Sequence, residues 1–148
     1  CARQHFPRTD PAVIVAITDD EDRLLLGHNA LWPKGVYSLF AGFVEAGESL
    51  EGAVVRETFE EAGVSVVDIK YSASQAWPYP QSIMVGFFAR AANAEAARAD
   101  GVEILSVRWF SRADLDDAIA GHGDIRIPAS ASVARSLIDQ WHSGNAPL

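Results

Sequence analysis

The sequence predicts an α/β sandwich with a mixed central β-sheet. Apolar, β-branched runs typical of strands are more numerous than helical segments, and the few predicted helices lie between strands along the chain. The chain has 148 residues, of which 49% are hydrophobic and 22% are charged. This composition is that of an ordinary globular protein, and the length suits one domain with a packed core.

The strands are predicted from β-branched and aromatic runs. Residues 12–18 are typical of a buried strand. The polar residues 19–21 form a turn, and residues 23–26 return as the second strand of a hairpin. An Ala-rich stretch at residues 91–99 is predicted to be a loop or a frayed turn. Further strands are predicted at residues 37–41, 64–69, 82–89 and 104–110.

Three helices are predicted from their capping residues. Ser49 is a candidate N-cap and Gly63 a candidate stop, so the first helix covers residues 50–62. Ser111 with Asp114 resembles a capping arrangement that opens a second helix. The second helix is predicted to run through residue 119 and the third from about residue 132 to 141, with Val133, Leu137 and Trp141 on one apolar face.

The first predicted helix carries three carboxylates on one face. At 100° per residue, Glu57, Glu60 and Glu61 fall within about 100° of one another. Like charges at this spacing repel and weaken a helix, unless hard cations such as Mg²⁺ lie among them. A solvated acidic face is the alternative that spacing alone leaves open. The opposite stripe, expected to face the core, comprises Val55, Thr58, Phe59 and Ala62.

The residues around this helix complete a longer motif. Gly42 is followed after five residues by Glu48, and the helix then supplies the string R-E-T-F-E-E-A-G-V at residues 56–64. The whole reads G-x5-E-x7-R-E-U-x-E-E-x-G-U and resembles the Nudix box, the motif of the Nudix hydrolase family. Thr58 departs from the aliphatic residue of the motif, but it is β-branched and suits a core-facing position. The resemblance implies a Nudix-type α/β/α sandwich.

The resemblance also implies a chemical role for each acidic position. Members of the family hold Mg²⁺ or Mn²⁺ against a diphosphate with glutamates of this helix, and the cations activate a water molecule. The base that accepts the proton of that water is left open between Glu60 and Glu61. A late glutamate, Glu103, is a further ligand or base, although an ordinary loop position explains it equally well. The implied metal ligands are Glu57, Glu60, Glu61 and Glu103, and the implied catalytic residues are Glu60, Glu61 and Arg56.

Two other residues of the motif are expected to support these carboxylates. Arg56 is expected to pair with a carboxylate such as Glu48 and to hold it in place, and a surface ion pair of little value is the alternative. Gly42 is expected to let the backbone turn tightly beside the metal site.

A second motif lies between two predicted strands. Residues 74–82 read S-Q-A-W-P-Y-P-Q-S, and the prolines stiffen the segment so that its aromatic rings have little entropy to lose. The string resembles S-Q-P-W-P-F-P-x-S, which marks the NADH pyrophosphatase branch of the family, with Ala76 in place of one proline. The alternative is that Trp77 and Tyr79 fill a core edge. The substrate-binding residues implied by this branch are Phe43, Gln75, Trp77, Tyr79, Gln81, Ser82 and Ala134.

The same resemblance implies how a base is held. Phe43 is expected to stack on the adenine, and Phe6 of a partner subunit to cover the other face of the ring, because members of the family are commonly homodimers. Loop packing for Phe43 and anchoring of the terminus for Phe6 are the alternatives. We therefore expect a homodimer.

The first eleven residues resemble the junction that follows a four-cysteine zinc ribbon in this branch. Cys1 alone cannot hold zinc, because a structural zinc site needs four ligands, so structural Zn²⁺ is expected only in a longer protein. The expected organisation is a remnant of the ribbon at residues 1–11 and the Nudix hydrolase domain at residues 12–148. The four histidines show no paired spacing and are assigned no metal.

Composition restricts the partners and the location. The formal net charge of −8 disfavours strong binding to nucleic acid, because an acidic surface repels phosphate backbones. No apolar run approaches about 18 residues, so no membrane span is expected. A single cysteine cannot form an internal disulfide, which fits a cytoplasmic location.

These patterns predict an enzyme that hydrolyses the pyrophosphate bond of NADH, and of NAD⁺, to nicotinamide mononucleotide and AMP with the help of Mg²⁺ or Mn²⁺. One alternative keeps the chemistry and changes the substrate to ADP-ribose, a dinucleoside polyphosphate or NAD-capped RNA. A second alternative is a module that senses a nucleotide without cleaving it, although such modules usually have damaged boxes and all the acidic positions of this box are present.

Overall fold

The structure, a computed structural model, describes residues 3, 4 and 6–147, so the expected junction residue Cys1 lies outside the described residues. Its strands are β1 (Asp10–Thr18), β2 (Leu24–Asn29), β3 (Phe40–Phe43), β4 (Val66–Trp77), β5 (Ser82–Ala91) and β6 (Ile104–Phe110). Its α-helices are α1 (Leu50–Ala62), α2 (Arg112–Ile119) and α3 (Val133–His142). One turn of 3-10 helix, Ala94–Ala96, lies in the Ala-rich stretch that was predicted as a loop or frayed turn.

The strands form one mixed sheet. Its order is β4-β5-β1-β2-β6, and β3 pairs separately with β1. β1 runs parallel to β5 and antiparallel to β2 and β3, which confirms both the mixed sheet and the predicted β1–β2 hairpin.

Helices cover both faces of this sheet. Side chains of β1 alternate between the faces, so that Val13 and Val15 pack on the side of α1 while Ile14 and Ala16 pack on the side of α2 and α3. A strand covered on both faces is apolar almost throughout, which explains the sequence of β1. The predicted α/β/α sandwich is confirmed.

The capping residues predicted the helix bounds correctly. The Ser49 hydroxyl accepts a hydrogen bond from the Gly52 N–H at 3.0 Å, and Gly63 ends α1 with a φ of 67°. Ser111 and Asp114 form the expected capping box at α2. In the part of the chain that the structure describes, none of the helices is long and apolar enough to cross a membrane.

The strand before the second motif is longer than predicted. β4 covers Val66–Trp77 rather than residues 64–69, and it pairs with β5 as far as Trp77 opposite Ser82. The second motif is therefore a hairpin, which we call the β4–β5 hairpin, with its prolines in the turn. The prediction was wrong because pairing with β5 stabilises a strand that its own Ser and Ala residues do not signal.

Pairing also shifts two other strands. β3 is Phe40–Phe43 instead of residues 37–41, because it pairs with β1 from Ala12 to Val15. β2 extends beyond the predicted residue 26 to Asn29, because β6 pairs with this extension.

The predicted core face of α1 is partly wrong. Thr58 and Ala62 are buried as expected, but Val55 and Phe59 are 43% and 56% exposed, and Glu61 is only 6% exposed. Helical spacing gives the relative positions of these residues, whereas the rotation of the helix is set by its packing against β3 and the sheet. The buried residues of α1 are Ala53, Val54, Thr58, Glu61 and Ala62.

Candidate active site

A cavity of about 500 Å³, which we call the carboxylate cavity, opens between α1, β3 and the β4–β5 hairpin. Both sequence motifs contribute to its wall, although they are far apart along the chain. A cavity of about 510 Å³ lies near the opposite end of β1, around Arg23 and Trp109, and neither motif lines it. The predicted site residues that line the carboxylate cavity are Phe43, Arg56, Glu57, Glu61, Trp77, Tyr79, Ser82 and Glu103.

Gly42 serves this cavity for a different reason from the one predicted. It lies inside β3, opposite Val13, and not in a tight turn. A Cβ atom at this position would overlap the carboxylate of Glu57. Glycine therefore leaves the space in which that carboxylate lies against β3.

We expect Gly42→Ala to displace the Glu57 carboxylate and to lower both turnover and Mn²⁺ affinity by roughly 10- to 100-fold. The free energy of unfolding should change by about 1 kcal/mol or less, because the clash is with the end of a partly exposed side chain. Steady-state kinetics, calorimetric titration with Mn²⁺ and urea unfolding measure the three quantities. Unchanged Mn²⁺ affinity would show that the position of Glu57 does not depend on this glycine.

Arg56 connects the elements around the cavity. Its guanidinium binds both carboxylate oxygens of Glu48 at 2.9 Å, as the sequence predicted, and it donates to Glu57 Oε1 at 2.8 Å. It also donates to the backbone carbonyl of Phe43 at 2.9 Å and to Glu60 Oε2 at 3.2 Å. The bonds to Glu48 lower the pKa of that carboxyl group. Together, the bonds of Arg56 join α1 to β3 and to the segment after it.

Glu61 is a buried acid. Burial, followed by the charges of neighbouring carboxylates, raises its pKa to about 8. Among the residues that the structure describes, no cationic side chain pairs with it. A proton or a bound cation must therefore compensate its charge. The carboxylates that raise its pKa are, in decreasing order, Glu103, Glu57, Asp100 and Glu60.

This pKa predicts how the stability of the metal-free protein depends on pH. An ordinary glutamate pKa of 4.5 applies to the unfolded chain, so between pH 4.5 and about 8 the folded protein keeps a proton that the unfolded chain has lost. The contribution of Glu61 to stability is therefore greatest below this window and falls by several kcal/mol as the pH rises through it, at about 1.4 kcal/mol for each pKa unit. Urea unfolding in EDTA measures this slope, and Glu61→Gln should remove most of it. A slope that Glu61→Gln leaves unchanged would contradict the assignment.

Glu103 reaches the cavity from the loop before β6, as predicted. Its place is fixed by Asp100, whose carboxylate accepts hydrogen bonds from the backbone N–H groups of Val102, Glu103 and Ile104 at 2.8 to 3.2 Å. These bonds lower the pKa of Asp100. Sequence reasoning missed Asp100, because an aspartate in a polar loop gives no signal of the turn that it forms.

Glu60 stands apart from the other carboxylates. Its side chain is 58% exposed, and it is not among the residues that line the cavity. The structure therefore brings Glu57, Glu61 and Glu103 to the cavity and leaves Glu60 on its outer side, beside Arg56.

The chemistry of these side chains fits a hard divalent cation. In residues 3, 4 and 6–147, no group of three or more His, Cys, Asp or Glu side chains is close enough to hold a metal ion as it stands. Glu57, Glu61 and Glu103 nevertheless provide only oxygen ligands, which Mg²⁺ and Mn²⁺ prefer. The buried charge of Glu61 is what such an ion would neutralise.

Aromatic rings form the opposite side of the cavity. Trp77 and Tyr79 meet edge to face, with ring centroids 5.8 Å apart and planes at 76°. Tyr79 is 76% exposed, and Trp77 and Phe43 are also exposed, so the rings do not fill a core edge. They present free aromatic surface at the mouth of the cavity.

The remaining predicted contacts are arranged differently. The Gln75 side chain is engaged by the backbone at the start of α3: its amide donates to Ala131 O and its carbonyl accepts from Val133 N–H, both at 2.8 Å. Ala134 is buried and lines a small apolar cavity beside Trp77. Gln81 donates to Asp10 at 3.2 Å. Phe6 is 84% exposed and is not among the residues that line the cavity.

Several cavity residues had no signal in the sequence. Three are apolar strand residues and the fourth is a glutamate of the loop after β3, and only the fold shows that they face this space. They are Ala12, Ala41, Glu45 and Met84.

Comparison with known proteins agrees with this fold. The NUDIX domain family matches residues 8–129. The structure is similar to a crystal structure of a NUDIX hydrolase from Nitrosomonas europaea, with a TM-score of 0.71 and 27% identity over 96% of this chain and 77% of that one.

Two curated relatives are similar in sequence. The NAD-capped RNA hydrolase NudC of Mycobacterium tuberculosis is 45% identical over 93% of this chain and 46% of its own length. The NAD-capped RNA hydrolase of Schizosaccharomyces pombe is 47% identical over 97% of this chain and 41% of its own length. The chain thus spans less than half the length of these relatives.

An α/β/α sandwich with a carboxylate-lined cavity beside α1 is the architecture of a Nudix domain. The chain belongs to the Nudix family. The predicted resemblance to the NADH pyrophosphatase branch of this family is confirmed by these relatives.

Proposed function

We propose that this domain hydrolyses the pyrophosphate bond of NADH and of NAD⁺, giving nicotinamide mononucleotide and AMP. The observation that carries the proposal is the buried carboxylate of Glu61, which faces Glu57 and Glu103 in a cavity bordered by exposed aromatic rings. A cation held by these carboxylates would bind the diphosphate oxygens, and the aromatic rings would stack on the attached bases.

Each group of the site has a role in this proposal. Glu57, Glu61 and Glu103 would hold Mg²⁺ or Mn²⁺, which when bound neutralises the diphosphate and lowers the pKa of an attacking water. Glu61 accepts the proton of this water as its oxygen bonds to phosphorus, and the bridging oxygen leaves with the other mononucleotide. We favour Glu61 over Glu60 as the base because Glu61 lines the cavity and Glu60 does not.

Arg56 and the aromatic residues orient these parts. Arg56 bonds both to Glu57 and to the backbone of Phe43. It therefore keeps the carboxylates that would hold the cation at a constant distance from the ring that would stack on the base. Phe43 and the rings of the β4–β5 hairpin hold the adenine by stacking. Gln75 holds the start of α3 against β4 through its side-chain hydrogen bonds, so its effect on the substrate is indirect.

The experiment that tests the proposal is incubation of the protein with NADH and Mg²⁺ or Mn²⁺, followed by quantification of AMP. We expect AMP and reduced nicotinamide mononucleotide in equal amounts, and no product in EDTA. ADP-ribose and a dinucleoside polyphosphate, assayed in parallel, show whether another diphosphate is preferred. Nucleotide binding without any turnover would support the sensing module instead.

A second substrate is favoured by the names of the relatives, which are NAD-capped RNA hydrolases. An RNA with NAD at its 5′ end presents the same diphosphate. The net charge of −8 disfavours contact with a long RNA backbone, so we expect higher kcat/KM for free NADH. Comparison of the two substrates at two salt concentrations tests this order.

The proposed homodimer, the structural zinc of a longer protein and the cytoplasmic location stay predictions. Sedimentation of this domain and metal analysis of the longer protein test the first two, and cell fractionation tests the third.

A further inference from the structure

A second cavity meets the carboxylate cavity at its acidic wall. It has a volume of about 250 Å³ and shares Ala41, Glu61 and Glu103 with the first. Its far side is formed by Trp32 and Asn29, from the segment between β2 and β3. We call this space the Trp32 lobe. The carboxylates therefore lie between two spaces, each of which has an aromatic wall.

The segment that carries Trp32 is tied to the acidic wall. The backbone N–H of Ala30 donates to the Glu103 carbonyl at 2.8 Å, and the Asn29 side-chain amide lies 3.5 Å from Glu103 Oε1. The backbone N–H of Trp32 donates to the backbone carbonyl of Asn29 at 3.0 Å, which closes a turn. Trp32 is 38% exposed and lines the lobe, so part of its side chain is free of the core and accessible to a ligand.

The two cavities match the two halves of a dinucleotide. A dinucleotide carries one base on each side of its diphosphate, so a diphosphate held at Glu61 and Glu103 has space on both sides. The larger cavity suits the two-ring adenine. The Trp32 lobe is below the usual size of a site for a whole small molecule, and it suits a single ring.

We propose that Trp32 stacks on the nicotinamide ring and makes the Trp32 lobe the subsite for the second base of the substrate. The inference rests on the proposed function for the position of the diphosphate. Ser38 and Asn29 provide polar groups in the same lobe. An indole face is a suitable platform for such a ring, because aromatic stacking contributes substantially to base binding.

The test compares NADH with ADP-ribose, which lacks the nicotinamide ring. Dissociation constants are measured by calorimetry at saturating Mn²⁺ in a Glu61→Gln background, which prevents cleavage during the titration and leaves Glu57 and Glu103 to hold the cation. Trp32→Ala should raise the dissociation constant for NADH about tenfold and that for ADP-ribose less than twofold. Trp32→Phe, which keeps an aromatic ring, should restore most of the NADH affinity.

Leu31→Ala is the matched control, because Leu31 is 91% exposed in the same segment and does not line the lobe. It should change neither constant. Equal changes for both ligands with Trp32→Ala, or no change for either, would overturn the inference. Turnover of NADH by the unaltered chain is measured separately, so loss of the proposed function and loss of this subsite give different results.

Discussion

Replacing Glu61 by Gln should lower kcat for NADH by about 10³-fold or more. The substitution keeps the size and shape of a side chain that is 6% exposed, so packing is preserved. It removes one of the three carboxylate charges that would hold a cation and the oxygen that would accept a proton, and loss of a general base alone typically costs about 10²- to 10⁴-fold. The measurement is AMP release from NADH at saturating Mn²⁺.

The control is Glu51→Gln, which changes an exposed glutamate in the first turn of the same helix and should leave kcat within twofold. The same assay with Glu60→Gln decides between the two candidate bases. Because Glu60 is largely exposed beside Arg56, we expect a loss below tenfold. A nearly inactive Glu60→Gln together with an active Glu61→Gln would reverse the assignment of the base.

Arg56→Ala should destabilise the protein and impair the site together. Five hydrogen bonds to Glu48, Glu57, Glu60 and the Phe43 carbonyl disappear. Glu48 and Glu57 are partly buried and would face each other without a cation. Removing one partner of a fully buried ion pair is strongly destabilising, whereas an exposed pair contributes little, so the loss of stability for this partly buried network should lie between these two limits. Turnover should fall about 100-fold, since Glu57 and the Phe43 backbone lose their common anchor.

Urea unfolding and AMP release measure the two effects. Arg90→Ala is the control, because Arg90 pairs with Asp20 and Asp68 on the open surface and its loss should change the stability little. If Arg56→Ala is no more destabilising than Arg90→Ala, the bonds of Arg56 are not what holds the acidic wall together. Added Mn²⁺ should recover part of the lost stability, because a cation can replace the missing positive charge.

Local sequence signals determined the helices and the class of the site. Ser49, Gly63 and Ser111 placed the helix ends within a residue or two, because capping depends on hydrogen bonds between residues that are neighbours in the chain. The motif around α1 likewise predicted the family, because its fixed residues resemble the Nudix box, and helical spacing placed Glu57 and Glu61 one turn apart on one helix.

Strand bounds and the roles of single residues were decided by tertiary structure. The length of β4 depends on its pairing with β5, and the need for glycine at residue 42 depends on the Glu57 side chain of another element. Tertiary structure also separated two neighbouring acids of the same motif. Glu61 is buried at the carboxylate cavity, whereas Glu60 is exposed outside it.

The sequence by itself determined the α/β/α fold class, the position of α1 and the set of acidic residues. Only the tertiary structure decided which of these acids is buried, that Asp100 positions Glu103, and that a second lobe ends at Trp32. The physical reason is range. Periodicity and capping are interactions over a few residues, whereas burial and cavities arise where segments distant in sequence pack together, and no local pattern records that contact.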